Sequence, residues 1–467
     1  MKRFLFLTLL LTPILIGTVS AQAANHFVLA GALGNKSGND WTNAYTTLPA
    51  TLIRGDIYYI GAGSYPAYTF DDPHSGTTFI TIKKATVADH GTDVGWQASY
   101  AAQAVFQSTL HFSNGYYVFD GQTRNESDWF DGAAYGFRVD HNNQDQNISI
   151  YNQSLATPNI TVKYVYVNSQ VGNLPDVTIA RYAINTDTQG GPTNSGLVFS
   201  RMFVNGSNNV WFLRTTSGAI LEYSASQNAS GNSANHGEVV NLYYSASNAI
   251  IRHNIFRNEY VPSGSTAMIA VCCGTNSIQV YGNVFSNFRA GDGAIGYLGG
   301  TVANSVIYNN TIDQCNVASG GGANGGIALG SSTTLIQNNL FTNCTRAPLC
   351  CTHDYNAFSD STDQGEAHAQ LNVDSSIYVS YAAQDFRLAR ATAAGLALAA
   401  PFNVDRTAAT RGADGVWDRG AFETSGGTPA PPAPTNLRIS GLDEVLLAQF
   451  PDDKVFPWSR RLFRWPG

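Results

Sequence analysis

The sequence predicts an all-β fold: a right-handed parallel β-helix, closed at its start by a short N-terminal capping helix. Three observations carry that prediction. One short pattern recurs between Ile250 and Phe358: Ile251-Arg-His-Asn254-Ile-Phe256, Val280-Tyr-Gly-Asn283-Val-Phe285, Ile307-Tyr-Asn-Asn310-Thr-Ile312 and Ile336-Gln-Asn-Asn339-Leu-Phe341. Its asparagines fall at intervals of 29, 27 and 29 residues, and such fixed-period self-similarity marks a repeat architecture. A unit this short cannot bury a core alone, so neighbouring units must stack. Within each unit the apolar positions alternate with period 2, which is a strand pattern. Composition agrees: 45 Gly, 23 Tyr, 24 Phe and only 13% charged residues in a chain of 467 suit strands and turns. Coils of a β-helix lie about 4.8 Å apart, so equivalent asparagines form a column whose amides bond one another and the turn backbone. That role is structural.

The elements follow in order. Met1 to Ala23 read as a secretory signal: Lys2 and Arg3, a largely apolar run from Phe4 to Ile16, then the small-residue site Ala21-Gln22-Ala23. The run is too short for a comfortable membrane span, no later stretch qualifies, and no cysteine follows it to carry a lipid. A secreted, monomeric protein, extracellular or periplasmic, is expected. The β-helix domain is expected over residues 24–424. Its capping helix would lie within residues 43 to 54. Strands are expected at Ile57–Ile60, Phe79–Ile82, Val105–Phe106, Leu110–Phe112, Tyr116–Phe119, Ile148–Ile150, Ile160–Val165 and Leu197–Phe199, with an excursion over Thr86–Ala101. Asp385–Leu388 and Trp417–Phe422 read as the closing coil and cap. Residues 425–467 open on a Pro/Gly-rich linker and continue as a disordered or truncated tail. The net charge of −7 is mild and argues against nucleic acid or an anionic membrane as partner.

The Asn-bearing coils, the Trp41…Arg54-Gly-Asp56 opening and the closing Trp417-Asp-Arg-Gly-Ala-Phe422 resemble secreted bacterial proteins of the pectate-lyase-like right-handed β-helix superfamily. The resemblance covers roughly residues 26 to 423. It implies lyases and glycoside hydrolases acting on extracellular polysaccharide, and equally non-catalytic adhesins and surface proteins, since fold does not fix activity.

The densest polar cluster is Asn235-His236-Gly237-Glu238-Val-Val-Asn241. His236 and Glu238 share a face if the segment is extended. The segment is similar to the Asn-Gly-Glu stretch of the chondroitinase B and alginate lyase branch. That resemblance implies carboxylates and an asparagine holding calcium, with a Lys base and an Arg completing β-elimination. Glu238 matches an acidic, metal-binding position, and His236 stands where the branch has Asn. The Lys is missing: Tyr243, Tyr244 and Ser245 follow, and Lys163 is the only lysine between Lys84 and Lys454. A His or Tyr base is then required. His236 would serve as base, and Arg252 or Arg214 would stabilise developing charge. Glu238 would bind calcium or orient the His.

Asp292 falls near the equivalent of Gly237 two coils on, about 9.6 Å along the axis, a separation that would suit an inverting glycosidase pair with Glu238. Trp211, Tyr243 and Tyr244 are candidates for stacking on sugar rings, as are Trp129, Phe130 and Tyr135. Cys315 and Cys344 each follow a column asparagine by five residues, so adjacent coils place them within disulfide reach, about 4.8 Å between Cα atoms. Cys272, Cys273, Cys350 and Cys351 stay unassigned. A polysaccharide lyase or hydrolase is the leading expectation. A non-catalytic carbohydrate-binding or adhesin-type surface protein is the alternative.

Overall fold

The computed structural model describes residues 23–74, 76–140, 145–169, 182–188, 190–231, 237–259, 267–288, 293–297, 302–314, 326–329, 333–344, 350–359 and 364–424. The expected signal and tail lie outside that set.

One coil shows the plan. Ile220–Glu222 lies in a first sheet, Ala225–Ala229 in a second and Glu238–Tyr243 in a third, after which Ile250–Arg252 returns to the first. Each strand pairs in parallel with its equivalent one coil on. Repetition builds parallel sheets of twelve, ten and nine strands. Register places like on like: Ile251 faces Val280, then Ile307, then Ile336, all fully buried. Period-2 alternation sends these side chains into one continuous core and their neighbours outward.

From Ile160–Lys163 onward the corner between the twelve- and ten-stranded sheets is tight and takes a residue with positive φ in each coil: Tyr164, Arg201, Tyr223, His253, Gly282, Asn309, Asn338 and Tyr355. Tyr164 therefore divides what alternation alone reads as one strand. Ile160–Lys163 belongs to the twelve-stranded sheet and Val165–Asn168 to the ten-stranded one. At Gly282 a Cβ would sit 2.6 Å from His253 Nδ1, so this corner takes glycine for space, since other coils hold the same φ with larger residues.

The asparagine column forms as expected. The Nδ2 of Asn254, Asn283 and Asn310 donates to the next Oδ1 at 3.0 Å, reaching Asn339. The second Nδ2 proton of each goes to a backbone carbonyl, of Leu221, Ile251 and Val280 respectively. Each Oδ1 beyond the first also accepts the backbone N–H of the preceding asparagine. The column is longer than the repeat indicates. Ser224 donates its N–H to Asn254 at one end, and Asn356 continues it at the other. It stops at Glu366, whose Oε1 accepts from Asn356 Nδ2 at 2.6 Å and sits 3.0 Å from the His353 ring.

No helix forms over residues 43–54. Tyr45 instead bridges Val28 in parallel, its N–H donating to Phe27 and its carbonyl accepting from Leu29. The Asp40 carboxylate holds the Asn43 backbone N–H at 2.7 Å, and Pro49 disfavours helical geometry at Leu48. An extended segment thus covers the first strand edge. The Thr86–Ala101 excursion is as expected. Its Trp96 and Tyr100 pack on Trp41, whose indole N–H donates to the His90 carbonyl.

The C-terminal segments do not close a coil. Asp385–Leu388 pairs antiparallel with Tyr378–Ser380. Phe386, Leu388, Ala421 and Phe422 fold back over Val284 and Leu340 on the outer face of the ten-stranded sheet. That face is more apolar than a solvated one, and the fold-back buries it. Among the described residues no helix is long and apolar enough to cross a membrane.

Candidate functional site

The outer face of the nine-stranded sheet carries the site. In its middle coils Trp211 pairs with Val240 and Leu213 with Leu242, all four in the core. Alternation then turns Phe212 and Arg214 outward beside Asn241 and Tyr243, their register partners. Glu238 stands at the start of the same strand, opposite Asn209.

These side chains converge. The Tyr243 hydroxyl donates to Glu238 Oε1 at 3.3 Å, and Asn241 Nδ2 donates to Oε2 at 2.5 Å. Asn241 Nδ2 also reaches Asn209 Oδ1 at 3.3 Å. Arg214 lies over three rings, with its guanidinium carbon 3.9 Å from the centroid of Phe212, 5.0 Å from Tyr243 and 4.9 Å from Tyr244. Asp187 holds it at 3.5 Å on one side. Tyr182 packs on Phe212 at 4.5 Å, and burial raises its hydroxyl above the ordinary tyrosine value. Tyr244 is 54% exposed and caps the group. Two buried polar atoms here, Arg214 Nε and Asn241 Oδ1, have no hydrogen-bond partner. The same outward row continues through Asn185, Ser149 and His111 toward the N-terminus. His111 accepts or donates a hydrogen bond with Ser149 at 2.8 Å, and burial lowers its pKa. A cavity of about 270 Å³ opens beside this pair, next to Asp145 and Tyr151.

Of the residues singled out in the sequence, Glu238, Tyr243, Tyr244 and Arg214 come together. His236 and Asp292 lie outside the described residues, and so does Cys315. Trp211 cannot stack on a sugar: its ring is wholly buried 5.9 Å from Phe256, because it falls on the inward parity of its strand. Arg252 is elsewhere. It lies one corner further on, in the twelve-stranded sheet, with Nη2 2.5 Å from Glu222 and Nη1 3.1 Å from Tyr281. Cys344 is buried in the core. Cys272 and Cys273 are bonded to each other, as are Cys350 and Cys351. The sequence reading missed Phe212, Asn209, Tyr182 and Asp187. Phe212 could have been found by parity alone, two positions before Arg214.

Calcium takes six to eight oxygen ligands, mostly carboxylates. Both Glu238 oxygens already accept hydrogen bonds, Asp187 is engaged by Arg214, and no group of three His, Cys, Asp or Glu suited to a metal occurs among the described residues. The described side chains of this cluster do not fit that ion.

No family model and no curated protein matches the sequence. Solved structures do match in fold. The crystal structure of pectate lyase Pel9A aligns with a TM-score of 0.53 at 12% identity, over 87% of this chain and 97% of that one. A mannuronic acid specific polysaccharide family 6 lyase from human gut microbiota aligns at TM-score 0.34 and 13% identity, over 69% of this chain and 86% of its own. The family PL6 alginate lyase AlyGC gives 0.33 and 13%, over 74% and 53%. Identity this low speaks to architecture. The chain folds as a right-handed parallel β-helix, an architecture similar to that of pectate lyase Pel9A.

Proposed function

We propose that this is an exported polysaccharide-active protein that recognises an acidic sugar on the outer face of the nine-stranded sheet and cleaves its polymer by elimination. One observation carries the reading: Arg214 is held among Phe212, Tyr243 and Tyr244 while the Tyr243 hydroxyl rests on Glu238. Elimination needs a base for the proton α to a carboxylate and a cation for the charge that develops there. Arg214 supplies the cation. Tyr243 supplies the base, its proton passing toward Glu238 as the C–H proton is taken. The electron pair of that C–H bond forms the new double bond, and the leaving glycosidic oxygen takes the proton now on Tyr243, which recovers its own from Glu238. Tyr244 offers its exposed ring to the sugar. The fold shared with pectate lyase Pel9A is compatible with this reading.

A second reading, binding without cleavage, is favoured by a different observation. Glu238 is only 2% exposed, and Lys163 pairs with Asp120 on another sheet at 3.1 Å, so among the described residues no lysine base stands on this face. A panel of uronate-rich and neutral polysaccharides separates the two. Absorbance at roughly 235 nm reports unsaturated uronate and reducing-end release reports hydrolysis. Neither signal, with retained affinity, selects the binding reading. Reducing ends without absorbance select hydrolysis and remove Tyr243 as an eliminating base.

A further inference from the structure

A second cavity, of about 340 Å³, lies far from that face, on the outer side of the ten-stranded sheet. Its floor is Ile255, Val284 and Ser286 from two adjacent coils of that sheet. Trp129 and Phe130 wall it on one side, and Phe386 and Phe422 of the folded-back C-terminal segments on the other. The volume is at the small end of ligand pockets, which run from about 300 to 1,000 Å³.

Two arginines at this cavity, Arg257 and Arg406, are not ion-paired with any described residue. Asp385 is taken by Arg387 at 2.6 Å, and Glu126 by Arg124 at 2.7 Å. The carboxylates left for Arg257 and Arg406 are Asp128 and Asp405, and neither arginine forms an ion pair with either. Arg257 is buried, stacked 3.4 Å from the Phe130 centroid, and its hydrogen bonds go to the neutral amides of Gln227 and Gln384. Arg406 has no hydrogen bond or ion pair with a described residue. Its guanidinium carbon sits 4.5 Å from the Trp129 ring and 5.2 Å from that of Phe422. Burial lowers Arg406 to about 9, against the opposing pull of Asp405, and Arg257 to about 10, against that of Asp128, as expected of desolvated cations without a direct ion pair. A third group points the same way. Ser286 is 1% exposed, lines the cavity, and its hydroxyl has no partner. A buried hydroxyl without a partner is uncommon and asks for a polar guest.

We propose that this cavity binds a small hydroxylated monocarboxylate, about one sugar-acid ring in size. Its carboxylate meets Arg406 and Arg257, a hydroxyl meets Ser286, and its ring face packs on Phe386 and Phe422. The site stands on its own geometry and does not depend on the activity proposed above. Its ligand can be a free sugar acid or the terminal residue of an acidic oligosaccharide, and both present the same group.

The test is calorimetric titration of the full chain with D-glucuronate, D-glucose, sulfate and an acidic trisaccharide. It is done in an Arg214→Met background, so that the nine-stranded face does not contribute. Glucuronate is expected to bind and glucose not to. Arg406→Met should weaken glucuronate about tenfold or more, and Ser286→Ala by less. Trisaccharide binding as tight as the monomer assigns a chain end, and its exclusion assigns the free acid. Should Arg406→Met lower the melting temperature, Ser286→Val, which crowds the hydroxyl's place, is the deciding variant. Equal affinity for glucose overturns the proposal, as do sulfate binding as tight as glucuronate, unchanged binding in Arg406→Met and Ser286→Val, or no glucuronate binding up to roughly 10 mM.

Discussion

The asparagine column and the outer face of the nine-stranded sheet are built from similar residues and treat them in opposite ways. In the column every amide atom of Asn254, Asn283, Asn310 and Asn339 is bonded, and each residue is fully buried. On the face, Asn241 shares one nitrogen between two acceptors while its oxygen has none, and Arg214 Nε is buried without a partner. Buried polar groups in folded proteins are nearly all satisfied, so full satisfaction marks scaffold and the exceptions mark places held ready for something else. The same contrast separates two arginines. Arg252 is spent on Glu222 and Tyr281, whereas Arg214 lies mainly on aromatic faces with Asp187 at a looser 3.5 Å.

Substitution tests that contrast, with the largest effect expected in the column. Asn310→Ala removes four hydrogen bonds, two given and two received, and leaves the Asn283 N–H buried without a partner. A loss of about 4 kcal/mol is expected in denaturant unfolding. A loss below about 1 kcal/mol would break the claim that the column is scaffold. Arg214→Met should show the reverse: turnover or affinity for an acidic polysaccharide down about a hundredfold, with stability changed by less than about 0.5 kcal/mol. If the two variants behave alike, the distinction fails.

Two smaller effects sharpen the picture of the corner beside the column. Gly282→Ala places a Cβ against His253 at a φ of +65° and should cost about 1–2 kcal/mol. His253 itself is lowered to about 3, chiefly by burial, then by Arg406, Arg252 and Arg411. The unfolded chain takes up that proton near pH 6.5, whereas the folded chain resists it down to about 3. The stability it contributes is therefore whole above pH 6.5 and drains away as pH falls toward 3. His253→Asn, a residue type tolerant of left-handed backbone, should flatten that part of the profile. An unchanged acid limb in stability against pH would show that His253 titrates normally.

How much was legible depended on whether a position repeats. The column was visible because one residue type recurs at one place in each coil, from Asn254 to Asn339. The coils before Ser224 share the fold without that mark. Their corners carry Tyr164 or Arg201-Met202, and the excursion at 86–101 and the loop at 122–135 break the spacing. Tyr243 and Arg214 were readable as one face because alternation along a strand is local, whereas Glu238 has the parity of the buried Val240 and Leu242 and still meets Tyr243. Arg252 was not, since a coil with three sheets sends the next strand to a different side of the molecule. Trp211 was chosen by residue type where parity placed it inside. The capping helix failed because backbone pairing to Val28 outweighed an amphipathic pattern interrupted by Pro49. The cavity around Arg406 joins residues 126 to 422, and no local spacing announces such a meeting.

The column also has a direction. Every Nδ2 in it points toward the C-terminal coil and every Oδ1 toward the N-terminal one, so the amide dipoles lie head to tail along the stack. Aligned dipoles polarise one another and leave a partial positive charge at one end, as they do along a helix. That end is where Glu366 sits, receiving the last amide of the row on one oxygen and the Asn356 backbone N–H on the other. A coil could in principle be added or removed within the row without disturbing its polarity. Glu366 is not interchangeable with the rungs: it is the counter-charge on which an oriented wire of amides is grounded.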